Sequence, residues 1–220
     1  MEFAFHRGHA SNNECIWLID SAERPFDLDE VAHDLSSSVL QIYVNEWNAK
    51  LSPWPAQPLS PKGGSFAGGA PSFLKSLIGD ASACEQSMGL SPTPSCRAIA
   101  GYSLAGLFSL YSFVCTSMFG AAASVSGSLW YDGWNEWLAS QLDECENPGG
   151  FVYVSLGSRE RRASIPRLRA IEGQTRLTLD ILSGAGCKTH FEKTPGNHVQ
   201  NAGLRMRLAL AALDRFIDVA

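Results

Sequence analysis

Cys96-Arg-Ala-Ile-Ala-Gly-Tyr-Ser-Leu-Ala-Gly-Leu-Phe-Ser-Leu-Tyr111 decides how this chain reads. A strand-length run ends at Ala100, Gly101-Tyr102-Ser103-Leu104-Ala105-Gly106 follows, and an apolar helical pattern begins at once. Strand, sharp turn and helix together form the context of a nucleophile elbow, where a serine sits at the tip of a strained turn. The residues two before and two after that serine must be small. Larger ones bring their Cβ atoms into collision with each other and with the strand. Gly101 and Ala105 meet the need, and Gly106 lets the new helix sit close to a sheet. The turn also points the amide of Leu104 toward the site, where it can donate to an oxyanion. A match of this length alone also fits any tight strand-to-helix turn; its flanks make Ser103 a candidate nucleophile.

Working outward, short apolar runs alternate with helical patterns. Strand-like runs occupy 15–20, 38–44, 96–100, 121–125, 151–156 and 188–192, and helical patterns fall at about 27–35, 71–88, 104–118, 132–142, 166–184 and 199–219. Near-continuous apolar runs such as 15–19 and 151–156 suit strands buried on both faces of a parallel sheet. The alternation implies strand–helix–strand crossovers, hence an α/β fold with helices on both sides. Glu2–Phe5 is expected to add a strand pairing near 15–20. The stretch 45–71, with five prolines and four glycines, breaks the rhythm. Trp47, Trp54 and Phe66 anchor it, so it reads as an ordered loop crossing one end of the sheet. No internal repeat or domain boundary interrupts the chain, and a single domain spanning 1–220 is expected.

Composition narrows the function. Apolar residues make up 45 % of the 220 and charged residues 18 %, which excludes a disordered chain. A net charge of −5 argues against a general nucleic-acid binder. No apolar run reaches the ~18 residues of a membrane span, and the first residues lack the order of a signal peptide. The six cysteines (15, 84, 96, 115, 145 and 187) are scattered without a CxxC pair. They read as free thiols, which places the expectation in a reducing cytoplasm.

A serine nucleophile needs a base and an acid, which in hydrolases of this architecture follow it as acid, then histidine. That order discards His6, His9 and His33. His190 lies inside an alternating strand run, whereas His198 follows the turn Thr194-Pro-Gly-Asn197, and a base reaching a neighbouring strand's tip belongs on such a loop. His198 is favoured, with His190 as the other candidate. The acid belongs just past the strand 151–156, where Glu160 follows Gly157-Ser158-Arg159. Glu172 and Asp180 fall in helical pattern, and Asp132 and Asp143 belong to the preceding crossover. Ser126 and Ser128, in the turn Val125-Ser-Gly-Ser-Leu-Trp130, lack a glycine at the right offset and read as site-lining.

At these residues the chain resembles the esterase family of α/β-hydrolases that includes siderophore (enterobactin-type) esterases, feruloyl esterases and S-formylglutathione hydrolases, and most closely its small bacterial members. The stretches that carry the likeness are Trp47-Asn48 with Leu51-Ser-Pro-Trp-Pro55; Phe66-Ala-Gly-Gly-Ala70; Ala100–Phe108 with Ser124–Trp130; and Ser155–Glu160 with Pro195-Gly-Asn-His198. The resemblance implies an α/β-hydrolase fold, a nucleophile at Ser103, an acid at Glu160 and a base at His198. It also implies a sheet shortened at its N-terminal side, and a second oxyanion donor at the amide of Ser21, after the strand 15–20. The elbow departs from the family pattern in ending on Ala105 where glycine is usual.

Trp130 and Trp54 are candidate walls of an acyl or aromatic pocket, while Trp137 reads as packing. Five arginines between 159 and 169 fit either a solvated helix face or a seat for an anionic substrate. The glycine-rich run 63–69 lacks the Lys-Ser/Thr of a phosphate loop, and His6-Arg-Gly-His9 is too sparse for a metal site. The expectation is a serine hydrolase of small-molecule carboxylic esters with no cofactor or metal. Acyl transfer by the same residues and a degenerate, binding-only hydrolase fold are its rivals. Oligomeric state is not written in these patterns.

Overall fold

A computed structural model describes residues 1–9, 13–59, 64–141 and 149–217. Cys145 and Asp143 lie outside them. Strands β1 (Glu2–His6), β2 (Cys15–Ser21) and β3 (Ser38–Val44) precede the excursion that holds helix α2 (Trp47–Leu51) and a small hairpin, β4 (Pro55–Ala56) with β5 (Phe66–Ala67). Helix α1 (Leu28–Ala32) links β2 to β3. Then follow α3 (Ala70–Ser87), β6 (Arg97–Tyr102), α4 (Leu104–Cys115), β7 (Ala121–Val125), α5 (Trp134–Gln141) and β8 (Phe151–Gly157). Short α6 (Pro166–Arg169), then α7 (Ile171–Gly184), β9 (Lys188–Thr194) and α8 (Ala202–Ile217) complete the described chain.

The main sheet has seven strands in the order β1-β3-β2-β6-β7-β8-β9. All neighbours are parallel except β1, which runs antiparallel to β3. The N-terminal strand therefore pairs with 38–44 and not with 15–20. Both edges of β2 are already taken, by β3 and β6, so among the described strands the open edge nearby belongs to β3.

Alternation along each strand divides the core into two layers. Ile16, Leu18, Ala98, Ala100, Ala121 and Ala123 face α1 and α8, meeting Val31, Met206, Leu210 and Leu213. Trp17, Ile19, Ile99, Ala122, Val152 and Val154 face the other helices, meeting Leu77, Leu107, Phe108 and Leu182. Helices thus cover both faces, as the near-continuous apolar runs require. At the amino end of β6, Arg97 donates to Glu85 with Nη2–Oε2 at 2.8 Å, and Trp17 Nε1 donates to Glu85 Oε1 at 2.6 Å. Arg97 is 6 % and Glu85 2 % exposed, so this paired, hydrogen-bonded charge locks α3 to the sheet far from the strand's other end.

The chain leaves β2 toward β3 on one side and later enters β6 on the other. In parallel sheets of this kind ligands bind beyond the carboxyl ends of the strands. The described residues of 45–71 have structure of their own, α2 and the β4–β5 hairpin; residues 60–63 lie outside the described set. Among the described residues no helix is long and apolar enough to cross a membrane. Among the described residues, Cys15, Cys84, Cys96 and Cys115 are free thiols.

Candidate active site

Ser103 joins β6 to α4 with φ 59° and ψ −121°. Positive φ is costly for a residue with a Cβ, about 1–3 kcal/mol, and persists only where the surroundings enforce it. The surroundings are the strand behind and the helix ahead. A Cβ built at Gly101 would lie 2.4 Å from the backbone carbonyl carbon and oxygen of Ala105, so only glycine fits there. The Ser103 amide donates to Val125 O at 2.9 Å, and Ser103 O accepts from the amides of Gly106 and Ser128. The turn is thereby tied both to its own helix and to the neighbouring strand. Its helix N-terminus leaves the Leu104 amide without a hydrogen-bond partner among the described residues, beside the serine hydroxyl.

His198 stands on the loop after β9. Its Nε2 lies 3.1 Å from Ser103 Oγ and its Nδ1 2.9 Å from Glu160 Oε2. Glu160 opens a single 3₁₀ turn, Glu160–Arg162, just past the end of β8. Its other oxygen, Oε1, accepts from Ser126 Oγ at 2.7 Å and from the Gly157 amide at 2.5 Å. Burial alone raises the Glu160 carboxyl's pKa. The hydrogen bonds from His198, Gly157 and Ser126 outweigh it together, and the result lies below the usual carboxylate value. The carboxylate is therefore held ionised against the histidine. Gly157 permits the close approach: a Cβ there would sit 2.7 Å from Gly196 O and 2.9 Å from Asn197 O, on the histidine's own loop.

Two further residues hold this arrangement. Ser126, noted in the sequence only as site-lining, has φ 46° and places its hydroxyl on Glu160. Arg205 of α8 is fully buried and reaches the histidine loop from beneath. Its Nη2 donates at 3.0 Å to the carbonyl oxygens of both Asn197 and His198, and its Nη1 to Thr194 Oγ1 at 3.1 Å. Tyr102, the residue before the elbow serine, stacks obliquely on His198 with ring centroids 5.2 Å apart and receives Arg205 Nη2 on its hydroxyl at 3.3 Å. Burial pushes the Tyr102 hydroxyl's pKa up, with Arg205 partly opposing it. The overlooked arginine did carry a signal. It falls at four-residue spacing with Ala209 and Leu213 on the apolar stripe of α8, where a charge is out of place.

A cavity of about 200 Å³ opens at Ser103 and His198. Its apolar wall is Leu59, Trp130, Leu168 and Ile171, with Ser126, Gly127 and Ser128 at its base. Trp130 is thus in the wall, under the guanidinium of Arg167 at 5.2 Å. Trp54 is one layer back: it packs on Tyr131 and Trp137 and donates to Asp132 O at 2.9 Å. His190 is remote from this chemistry, stacked on Tyr153 across β8 and β9.

Ser21 does not join the site. Its amide donates to Asp20 Oδ1 at 2.7 Å, and the residue lines a separate depression with Arg24, Val44 and Trp47. The turn after β2 is closed on itself. Ala22 N donates to Val44 O, Glu23 N and Arg24 N to Ser21 Oγ, and Phe26 N to Asp20 Oδ2, while Pro25 has no N–H. Asp20 is 3 % exposed and accepts from Gln41 as well, so it draws the turn's donors inward and away from Ser103.

A mostly parallel sheet sandwiched by helices, with a strained serine at a strand-to-helix elbow on its carboxyl edge, is the α/β-hydrolase fold. The chain superposes on an IroE-like serine hydrolase from Shewanella oneidensis with a TM-score of 0.77 at 14 % identity, covering 99 % of this chain and 76 % of that one. It is likewise similar to the siderophore hydrolase EstA from Aspergillus nidulans, with a TM-score of 0.70, 18 % identity and coverage of 93 % and 83 %. In sequence it is 31 % identical over 115 residues to the uncharacterized protein YbbA of Bacillus subtilis (strain 168), a match spanning 51 % of this chain and 45 % of that protein. No protein-family model matches the chain.

Proposed function

We propose that this chain is a serine hydrolase of small-molecule carboxylic esters, with Ser103 as nucleophile, His198 as general base and acid, and Glu160 as the acid that orients it. The observation carrying the reading is the continuous relay from Glu160 through His198 to Ser103, on a serine whose backbone is strained outward. In this role Nδ1 of His198 keeps its hydrogen on Glu160 and Nε2 accepts the Ser103 proton. The Ser103 Oγ–carbonyl carbon bond forms, and the Leu104 amide donates to the resulting oxyanion. His198 then passes its proton to the leaving alcohol oxygen as the ester bond breaks. Water, deprotonated by the same histidine, attacks the acyl-enzyme, and as the Ser103 Oγ–carbon bond breaks His198 returns that proton to Oγ, releasing the acid and free Ser103. The acyl group occupies the apolar cavity against Trp130. The descriptions of the similar folds, a serine hydrolase and a siderophore hydrolase, support the same class.

The test is covalent labelling together with turnover. A fluorophosphonate probe is expected to label the purified protein and not Ser103→Ala, whose folded circular dichroism stays unchanged. Hydrolysis of a short-chain aryl ester should fall by several powers of ten in kcat in that variant. Unchanged turnover, or labelling that survives the substitution, would remove the assignment and favour a binding-only role.

A further inference from the structure

A second depression, of about 490 Å³, adjoins the apolar cavity across His198. The two share Glu160, Ala163 and His198, and the second is lined besides by Arg159, Arg162, Asn197 and Gln200. Its carboxylate and amide acceptors are already consumed, while the hydroxyl of Ser164, also in the lining, can donate or accept. Gln200 Oε1 receives Arg159 Nη2 at 2.7 Å and the Asn197 amide at 3.2 Å. Asn197 Oδ1 receives the amides of Val199 and Gln200, both at 3.1 Å. Glu160, its one carboxylate among the described residues, is 7 % exposed and fully engaged with His198, Ser126 and Gly157. The other groups that remain are donors: the NH₂ groups of Asn197 and Gln200, the rest of Arg159, and Arg162, whose guanidinium has no acidic partner among the described residues. The other arginines of this run are occupied elsewhere, Arg161 at Glu172, Arg167 at Asp132 and Arg169 on the carbonyls of Ala163 and Ser164. A donor-rich, cationic lobe in a protein of net charge −5 is built to receive an anion.

Which part of the ester it receives follows from the histidine. His198 must sit beside the leaving oxygen to protonate it, so the group beyond His198 is the alcohol, while the acyl chain takes the apolar cavity. We propose that the preferred substrates are esters of apolar acids with alcohols that carry a carboxylate, bound by Arg159 and Arg162. This rests on the ester-hydrolase reading above.

The experiment uses two esters of one short apolar acid, one with a neutral alcohol and one with an isosteric alcohol bearing a carboxylate, and compares kcat/KM. The carboxylate ester is expected to be preferred by on the order of tenfold at low salt. That preference should shrink as ionic strength rises. The ratio should collapse toward one in Arg162→Gln and in Arg159→Gln, and hold in Arg161→Gln. A ratio near one in the wild type, or one that survives both lobe substitutions, overturns the inference while leaving ester hydrolysis in place. A ratio restored only when the carboxylate is moved to the acyl side reverses the assignment of the lobes and overturns it too. If Ser103-dependent hydrolysis of both esters is absent, the hydrolase reading itself fails, and the inference with it.

Discussion

Arg205, fully buried in α8, holds the main chain of His198: its Nη2 lies 3.0 Å from the His198 carbonyl oxygen, and no carboxylate pairs with it among the described residues. Its Nη1 and Nη2 donate instead to four neutral oxygens, on Thr194, Tyr102, Asn197 and His198, while its buried Nε has no partner among the described residues. A guanidinium reaches all of them because its donors diverge in a plane, which an ammonium cannot reproduce. Arg205→Met removes the donor from these oxygens, of which Thr194 Oγ1 belongs to a buried residue and the others lie in part-buried contacts. It should lower stability by about 1–3 kcal/mol, read as a shifted urea midpoint. It should also lower kcat about tenfold with KM little changed, since the imidazole loses its seat while the cavity stays. Arg205→Lys should recover part of the kcat. A Met variant with lowered stability and intact kcat would make this contact purely structural.

Ser103 and His198 act as one unit in the proposed reaction, so their losses should not add. His198→Ala is expected to cost about as many powers of ten in kcat as Ser103→Ala, and the double variant little more. His190→Ala should be mild, because that ring stacks on Tyr153 with centroids 5.4 Å apart, within the sheet. Steady-state kinetics on one aryl ester decides it; a severe His190 variant beside a mild His198 variant would exchange their roles.

Glu160→Gln should keep weak activity, since attack by Ser103 stays possible while the imidazole is poorly held. It also carries a pH signature. The folded carboxyl of Glu160 lies below its ordinary value of 4.5. The ionised form therefore stabilises the fold, fully above that ordinary value, and the contribution is lost as pH falls through the lower folded value. The wild type's stability advantage over Glu160→Gln should accordingly be flat at neutral pH and decline below about pH 4.5. Denaturant titrations of both proteins across that range measure it. An advantage that grows on acidification would contradict the sign.

Much of this was local and therefore legible in the chain itself. The alternation of apolar runs with helical periods implied a parallel sheet covered on both faces. The small residues flanking Ser103 implied its elbow, because the clash they avoid is between atoms a few residues apart. Glu160 and His198 stood out because loops past successive strand ends emerge at one edge of a parallel sheet, whatever the details of packing. What the sequence could not determine was how long-range partners distribute hydrogen bonds. Whether the Ser21 amide is free depends on Asp20 being buried beside Gln41 of another strand, and the fold turns that whole loop's donors inward. The N-terminal strand went to β3 because tertiary pairing had already filled both edges of β2. Arg205 lies about a hundred residues from the elbow in sequence, yet it meets both Tyr102 and the His198 loop, because only the assembled sheet with α8 laid across it brings those oxygens to one point.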